Sequence, residues 1–178
     1  RVIDVFKTVV AANHAGPAES IQPLEQTHRP WTIISTVGND PELFLKQLEA
    51  IATHSETSGE FELILIQPDM ICEPLQQILD SLEGDVRIIT QPPDENVFHA
   101  MNRAASMAKG ERLCILSPYL APCPDWLVHL SNAVAAHPEG IIFGGKVVNR
   151  FDNIVHAGMV MTINNEPLTC RLIGFFVF

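Results

Sequence analysis

From Trp31 onward, short apolar, β-branched runs alternate with segments whose apolar residues recur every three to four positions. That alternation leaves few architectures open to the chain. Ile33 and Ile34, flanked by Thr32, Thr36 and Val37, read as a buried strand. Asn39-Asp40-Pro41 then opens a helix, with Asp40 at the N-cap and Pro41 at the first helical position. Leu43, Phe44, Gln47, Leu48 and Ile51 follow at helical spacing. The cycle repeats. A strand is predicted over 61–66, and a helix on Leu75, Ile78, Leu79 and Leu82 is stopped by Gly84. A third strand covers 86–89, and an Ala- and Met-rich helix covers 97–108. A fourth strand covers 113–116, and a helix over 126–136 ends before Pro138. Further strands are predicted over 141–143, 146–148 and 153–161, with a turn at Asp152-Asn153.

Four strands in strict alternation with helices, joined by right-handed crossovers, give an α/β fold. Its doubly wound, mostly parallel sheet carries helices on both faces. Ligands of such sheets bind beyond the carboxyl ends of the strands, where the strand order reverses. The loops after Val37, Ile66, Ile89 and Leu116 are therefore the candidate site. No GxGxxG or GxxxxGK[ST] loop is present, which argues against a dinucleotide dehydrogenase or a P-loop nucleotidase.

Ahead of this pattern, residues 1–30 read as an N-terminal helix, with apolar spacing at Val2, Val5, Phe6 and Val9, followed by a Pro-, Gly-, Ser- and Gln-rich linker. The chain opens on Arg1 and closes on the apolar Gly174–Phe178, and so reads as a piece of a longer polypeptide, cut on its C-terminal side. A net charge of −10 without clustered Lys or Arg excludes a nucleic-acid partner, because phosphate neutralisation needs such clusters. No apolar run approaches the roughly 20 residues that span a bilayer. Cys72, Cys114, Cys123 and Cys170 lie too far apart for metal-ligand spacing; they read as free thiols of a reducing, cytoplasmic compartment.

Six segments, in order, resemble the family 2 glycosyltransferases, whose fold is called GT-A. Thr32–Asp40 (TIISTVGND) resembles an opening strand and turn that often reads SIITVVYND. Glu62–Ile66 (ELILI) resembles the second strand, EyIIID. Pro93–Arg103 (PDENVFHAMNR) resembles PDxGIYDAMNK. Ala108–Glu111 (AKGE) resembles the AxGE that leads into the metal-binding strand. Pro122–Leu127 (PCPDWL) resembles PxPxWL, and Asn153–Gly158 (NIVHAG) resembles the IxHAG segment after the donor site. The match in register covers residues 31–160, and it implies that 31–178 form a nucleotide-sugar-binding domain.

The resemblance implies a sugar nucleotide donor. It also implies a divalent metal held by an acidic pair after the fourth strand, because hard cations take oxygen ligands. A carboxylate after the second strand would receive the base, and a later Asp or Glu would act as general base. The sequence departs at each place it covers. The second-strand Asp is Gln67, and Asp69 and Glu73 stand nearby out of register. The Asp of the YDAMN motif is His99. The metal motif has become Leu116-Ser-Pro-Tyr-Leu120, without a carboxylate. The first-turn Tyr is Gly38. Three carboxylate positions around one pocket are lost, so no catalytic residue, no metal ligand and no cofactor are assigned.

The candidate sugar-nucleotide contacts are Val37, Asn39, Gln67, Asp69, His99, Asn102, Ser117, Tyr119 and Lys146. Lys146, Arg150 and Arg103 are the cations that a metal-free site would use against a diphosphate. The plainer roles are a solvated strand edge for Lys146 and Arg150, a helix surface for Arg103, a helix histidine filling the place of a lost Asp for His99, a structural hydrogen bond for His156, and core or loop packing for Ser117 and Tyr119. Three functions stay open: a degenerate, non-catalytic domain of a larger protein of glycan or polysaccharide synthesis; an active metal-independent transferase; a protein-interaction module on the inherited fold. Partners would be a sugar nucleotide and other domains of the same polypeptide. With the diphosphate's counter-ion gone, the isolated chain is expected to bind nucleotide sugars weakly or not at all.

Overall fold

A computed structural model describes residues 31–55, 61–138, 143–156, 160–163 and 166–169, the last two as backbone alone. The central sheet has four parallel strands: β1 (Trp31–Thr36), β2 (Phe61–Pro68), β3 (Val86–Gln91) and β4 (Arg112–Leu116). Their order is β3-β2-β1-β4. The chain first steps outward from β1 through β2 to β3, then returns to the other side of β1. The reversal therefore falls between β1 and β4, the place where sheets of this kind bind their ligands. Ile33 lies level with Leu63 and Cys114, and Ile34 with Ile64 and Ile115.

Because side chains alternate across a strand, β1 and β2 feed two cores. On one face Trp31, Ile33, Leu63 and Leu65 pack against α1 (Pro41–His54), α2 (Glu73–Asp80) and α4 (Trp126–Ala136), through Phe44, Leu48, Ile51, Leu75, Leu79 and Leu127. On the other, Ile34, Ile64, Ile66 and Ile89 pack against α3 (Val97–Met107) through Ala100 and Ala104, whose small side chains bring the helix close. Helices thus cover both faces. Asp40 caps α1 as the sequence predicts, its Oδ1 accepting from the Glu42 and Leu43 amides at 2.9 and 3.2 Å. The second helix stops earlier than predicted, at Asp80. Ser81 ends it, donating its hydroxyl to the Ile78 carbonyl at 2.7 Å, and Gly84 serves the following turn with φ of 102°.

Beyond the sheet, β5 (Val147–Val148) pairs antiparallel with β6 (Ile154–His156), and β7 (Val160–Ile163) with β8 (Glu166–Thr169). Of the strand predicted over 153–161, Ile154–His156 form β6 and Val160 and Met161 belong to β7, while residues 157–159 lie outside the described residues. Residues 1–30, with the predicted helix and linker, lie outside the described residues, as does most of the strand predicted over 141–143.

A polar cluster ties the sheet together at its amino end, opposite the strand-end loops of the candidate site. Glu62 is fully buried; its Oε2 accepts from Thr32 Oγ1 at 3.0 Å and from the Lys109 amide at 2.8 Å. Glu62 Oε1 has no hydrogen bond of good geometry, but Arg87 Nη2 stands 3.2 Å away and supplies the counter-charge. The Gly110 amide donates to Thr32 Oγ1 at 2.9 Å. A Cβ on Gly110 would lie 2.5 Å from the Thr32 nitrogen and 2.6 Å from the Trp31 carbonyl carbon. The AKGE segment is thus explained by close backbone approach and a buried carboxylate.

Candidate functional site

The carboxyl ends of β1, β2 and β4 converge through three sets of contacts. The Val37 amide donates to the Ile66 carbonyl at 2.8 Å and extends the β1–β2 ladder past the strand. Ser117–Leu120 form a tight turn closed by the Leu120 amide on the Ser117 carbonyl at 3.1 Å. Gly38 is buried under that turn: a Cβ there would stand 3.3 Å from Pro118 Cβ and 3.9 Å from Tyr119 Cε1. Among the residues chosen from the sequence, Val37, Asn39, Ser117 and Tyr119 therefore cluster at the β1–β4 switch. Val37 is buried; Asn39, Ser117 and Tyr119 are exposed.

The group that fixes this cluster is Gln47, on α1. It is 1% exposed, and all its polar atoms are used. Its Nε2 donates to the carbonyls of Ser117 and Leu120 at 2.5 and 2.9 Å, and its Oε1 accepts from Ser35 Oγ at 3.1 Å. A buried amide with satisfied donors and acceptor specifies one loop geometry, since any other leaves polar atoms unpaired. The sequence shows Gln47 at helical spacing among apolar residues. Its glutamine identity there was the available signal, and its partners 70 and 73 residues away were not legible.

Gln67 and Asp69 lie at the end of β2. Gln67 is half-buried, level with Thr90, and its Nε2 makes a long 3.5 Å bond to Gln76 Oε1; Asp69 is exposed in the loop to α2. His99 and Asn102 are both exposed on α3, on the side turned away from the sheet-facing Ala100 and Ala104. Arg103 is committed elsewhere. It forks onto Glu95 at 2.6 Å (Nη2 to Oε2) and 3.3 Å (Nε to Oε1), and Nη2 also donates to the Thr90 carbonyl at 2.8 Å. The hydrogen bond and charge of Glu95 raise its pKa. Arg103 thus secures the loop from β3 into α3, together with Gln91, which donates to the Glu95 carbonyl at 2.7 Å.

Lys146 directly precedes β5 and is half-buried. Arg150 lies in the β5–β6 turn, its guanidinium 4.7 Å from the centre of the Phe151 ring. Asn149 Oδ1 accepts from the amides of Phe151 and Asn153 in that turn, at 2.9 and 3.1 Å. His156 is exposed on β6. Cys72, Cys114 and Cys123 are free thiols, and Cys170 lies outside the described residues. Burial pushes the Cys114 thiol up to about 12, and burial, then the nearby Asp152 carboxylate, raises Cys123.

The donor set after β4 does not fit a divalent cation. The turn offers a serine hydroxyl, a proline, a tyrosine and carbonyls, and two of those carbonyls already receive Gln47. Hard divalent cations take oxygen ligands, and protein sites for them are built around one or more carboxylates, of which this turn has none. Among the described residues, no cluster of three or more His, Cys, Asp or Glu side chains could hold a metal elsewhere.

The sequence matches no protein-family model and no curated protein. Solved structures do match. The chain is similar to S. aureus TarS 1-349 at 17% identity with a TM-score of 0.53, over 67% of this chain and 36% of that one. It is equally similar to the same fragment in complex with UDP-GlcNAc, at 17% identity and a TM-score of 0.54, over 67% and 35%. The chain thus spans about a third of the length of the TarS fragment. No helix among the described residues is long and apolar enough to cross a membrane. At this identity the likeness establishes the fold alone: an α/β fold with a central parallel sheet of four strands flanked by helices, its strand order reversing between β1 and β4.

Proposed function

We propose that this chain is a degenerate family 2 glycosyltransferase module that holds a sugar nucleotide weakly, without metal, and does not transfer the sugar. In that role it serves a larger polypeptide of glycan synthesis. One observation carries the reading. The loop that would present an acidic pair to a metal is instead a Ser-Pro-Tyr-Leu turn whose carbonyls are held by Gln47. TarS 1-349 has been solved with UDP and with UDP-GlcNAc, which makes these the first ligands to test here. Weak binding follows from charge. A diphosphate carries about two negative charges, and the chain itself stands at −10. Arg103, a cation that a metal-free transferase would recruit, is spent on Glu95. Losing one or two charge-assisted bonds of roughly 1.5–3 kcal/mol each weakens binding by tenfold or much more.

Val37, Asn39, Ser117 and Tyr119 form the proposed contact set at the switch, with Gln67 and Asp69 beside it. His99, Asn102 and Lys146 belong to the same proposal from the surrounding elements. The test is turnover. The chain, incubated with UDP-GlcNAc and Mn²⁺, is expected to release UDP no faster than a blank. Mn²⁺-stimulated UDP release would overturn the reading in favour of an active transferase.

A further inference from the structure

The chain's single tyrosine sits at the switch in a telling environment. Tyr119 is 67% exposed, and among the described residues its hydroxyl meets no hydrogen-bond partner. Aromatic side chains contribute most when buried, so a ring left in water on a fixed backbone is available to a partner. The backbone is fixed by the closed turn and by Gln47, which binds both ends of it. Beneath lies Gly38. Any side chain there would first meet Pro118 at 3.3 Å and then the Tyr119 ring at 3.9 Å.

We infer that Tyr119 is an aromatic platform for the flat face of a ligand ring at the β1–β4 switch, and that Gln47 is the residue that positions it. The inference rests on the sugar-nucleotide reading above and names one contact within it. The shared ligand chemistry is a ring with an apolar face, which a nucleobase and a pyranose both offer. Because Gln47 and the turn hold the platform in advance, little ordering accompanies binding.

A single tyrosine makes the test direct: biosynthetic 3-fluorotyrosine gives one ¹⁹F resonance, that of Tyr119. The 178-residue chain would be titrated with UDP, UDP-GlcNAc and free N-acetylglucosamine, with calorimetry in parallel. The resonance is expected to move saturably, with UDP alone sufficing if the ring is the base and N-acetylglucosamine alone sufficing if it is the sugar. Tyr119→Ala is expected to weaken binding about fivefold or more, and Tyr119→Phe by less than about twofold, as base–aromatic stacking strengths imply. Gln47→Leu is expected to weaken binding in the parent but not further in Tyr119→Ala, a coupling that a purely structural glutamine would not show. If calorimetry detects binding while the resonance stays still and Tyr119→Ala binds equally well, this inference is wrong and the sugar-nucleotide reading stands. If neither method detects any of the three ligands up to about 10 mM, both are wrong.

Discussion

Replacing Gln47 by leucine tests whether the β4 turn is locked from α1. The substitution keeps the approximate volume and removes three hydrogen bonds, to Ser35 Oγ and to the carbonyls of Ser117 and Leu120. At about 1 kcal/mol net each, their loss costs about 3 kcal/mol. The Ser117 carbonyl keeps the Leu120 amide, and Ser35 Oγ keeps a long 3.5 Å contact to the Thr36 carbonyl. The Leu120 carbonyl is left without the partner it has now, which adds about 1 kcal/mol or more, and leucine's extra apolar burial returns a similar amount. Urea unfolding followed by far-UV circular dichroism is therefore expected to show Gln47→Leu less stable by about 3 kcal/mol. Gln47→Glu adds a pH signature. Its carboxylate would face two carbonyls and could donate to neither, so burial and those dipoles raise its folded pKa above the unfolded value. The variant's stability is then greatest below the unfolded pKa and is lost as pH rises through the folded one. A Gln47→Leu chain within about 0.5 kcal/mol of the parent would refute the clamp.

Three further outcomes are expected. Gly110→Ala, whose Cβ would sit 2.5 Å from the Thr32 nitrogen, should destabilise the chain by about 3 kcal/mol or more in the same unfolding assay, because backbone must shift. Arg87→Met leaves the buried Glu62 carboxylate without its counter-charge and should cost about 3 kcal/mol at neutral pH; an unchanged urea midpoint would show that the pair is not needed. Alkylation at pH 8 with peptide mapping should modify exposed Cys72 first and leave Cys114 unmodified until the chain unfolds, since burial holds that thiol up at about 12.

Local chemistry made the fold legible. Apolar doublets such as Ile33-Ile34 fix a strand buried on both faces. Asp40-Pro41 starts a helix because the cap and the missing amide act within one turn. The choice of the strand-end loops as the candidate site follows from the alternation of strands and helices, and the strand order does reverse between β1 and β4. The reach of individual side chains was not legible. Arg103 was a candidate for a diphosphate, and its fork onto Glu95 depends on how the 92–96 loop folds back along α3. Glu62 reads as an ordinary polar strand residue, and its burial follows only once the Lys109 amide, Thr32 and Arg87 meet there in space. Long-range polar contacts leave no periodic trace, so composition and spacing are silent on them.

The central claim, a sugar-nucleotide module that has given up its metal, is tested most directly by calorimetry of UDP-GlcNAc on the 178-residue chain with and without Mn²⁺. The account predicts a dissociation constant weaker than about 100 μM that Mn²⁺ changes by less than about twofold. Affinity that rises by about tenfold or more when Mn²⁺ is added would contradict it.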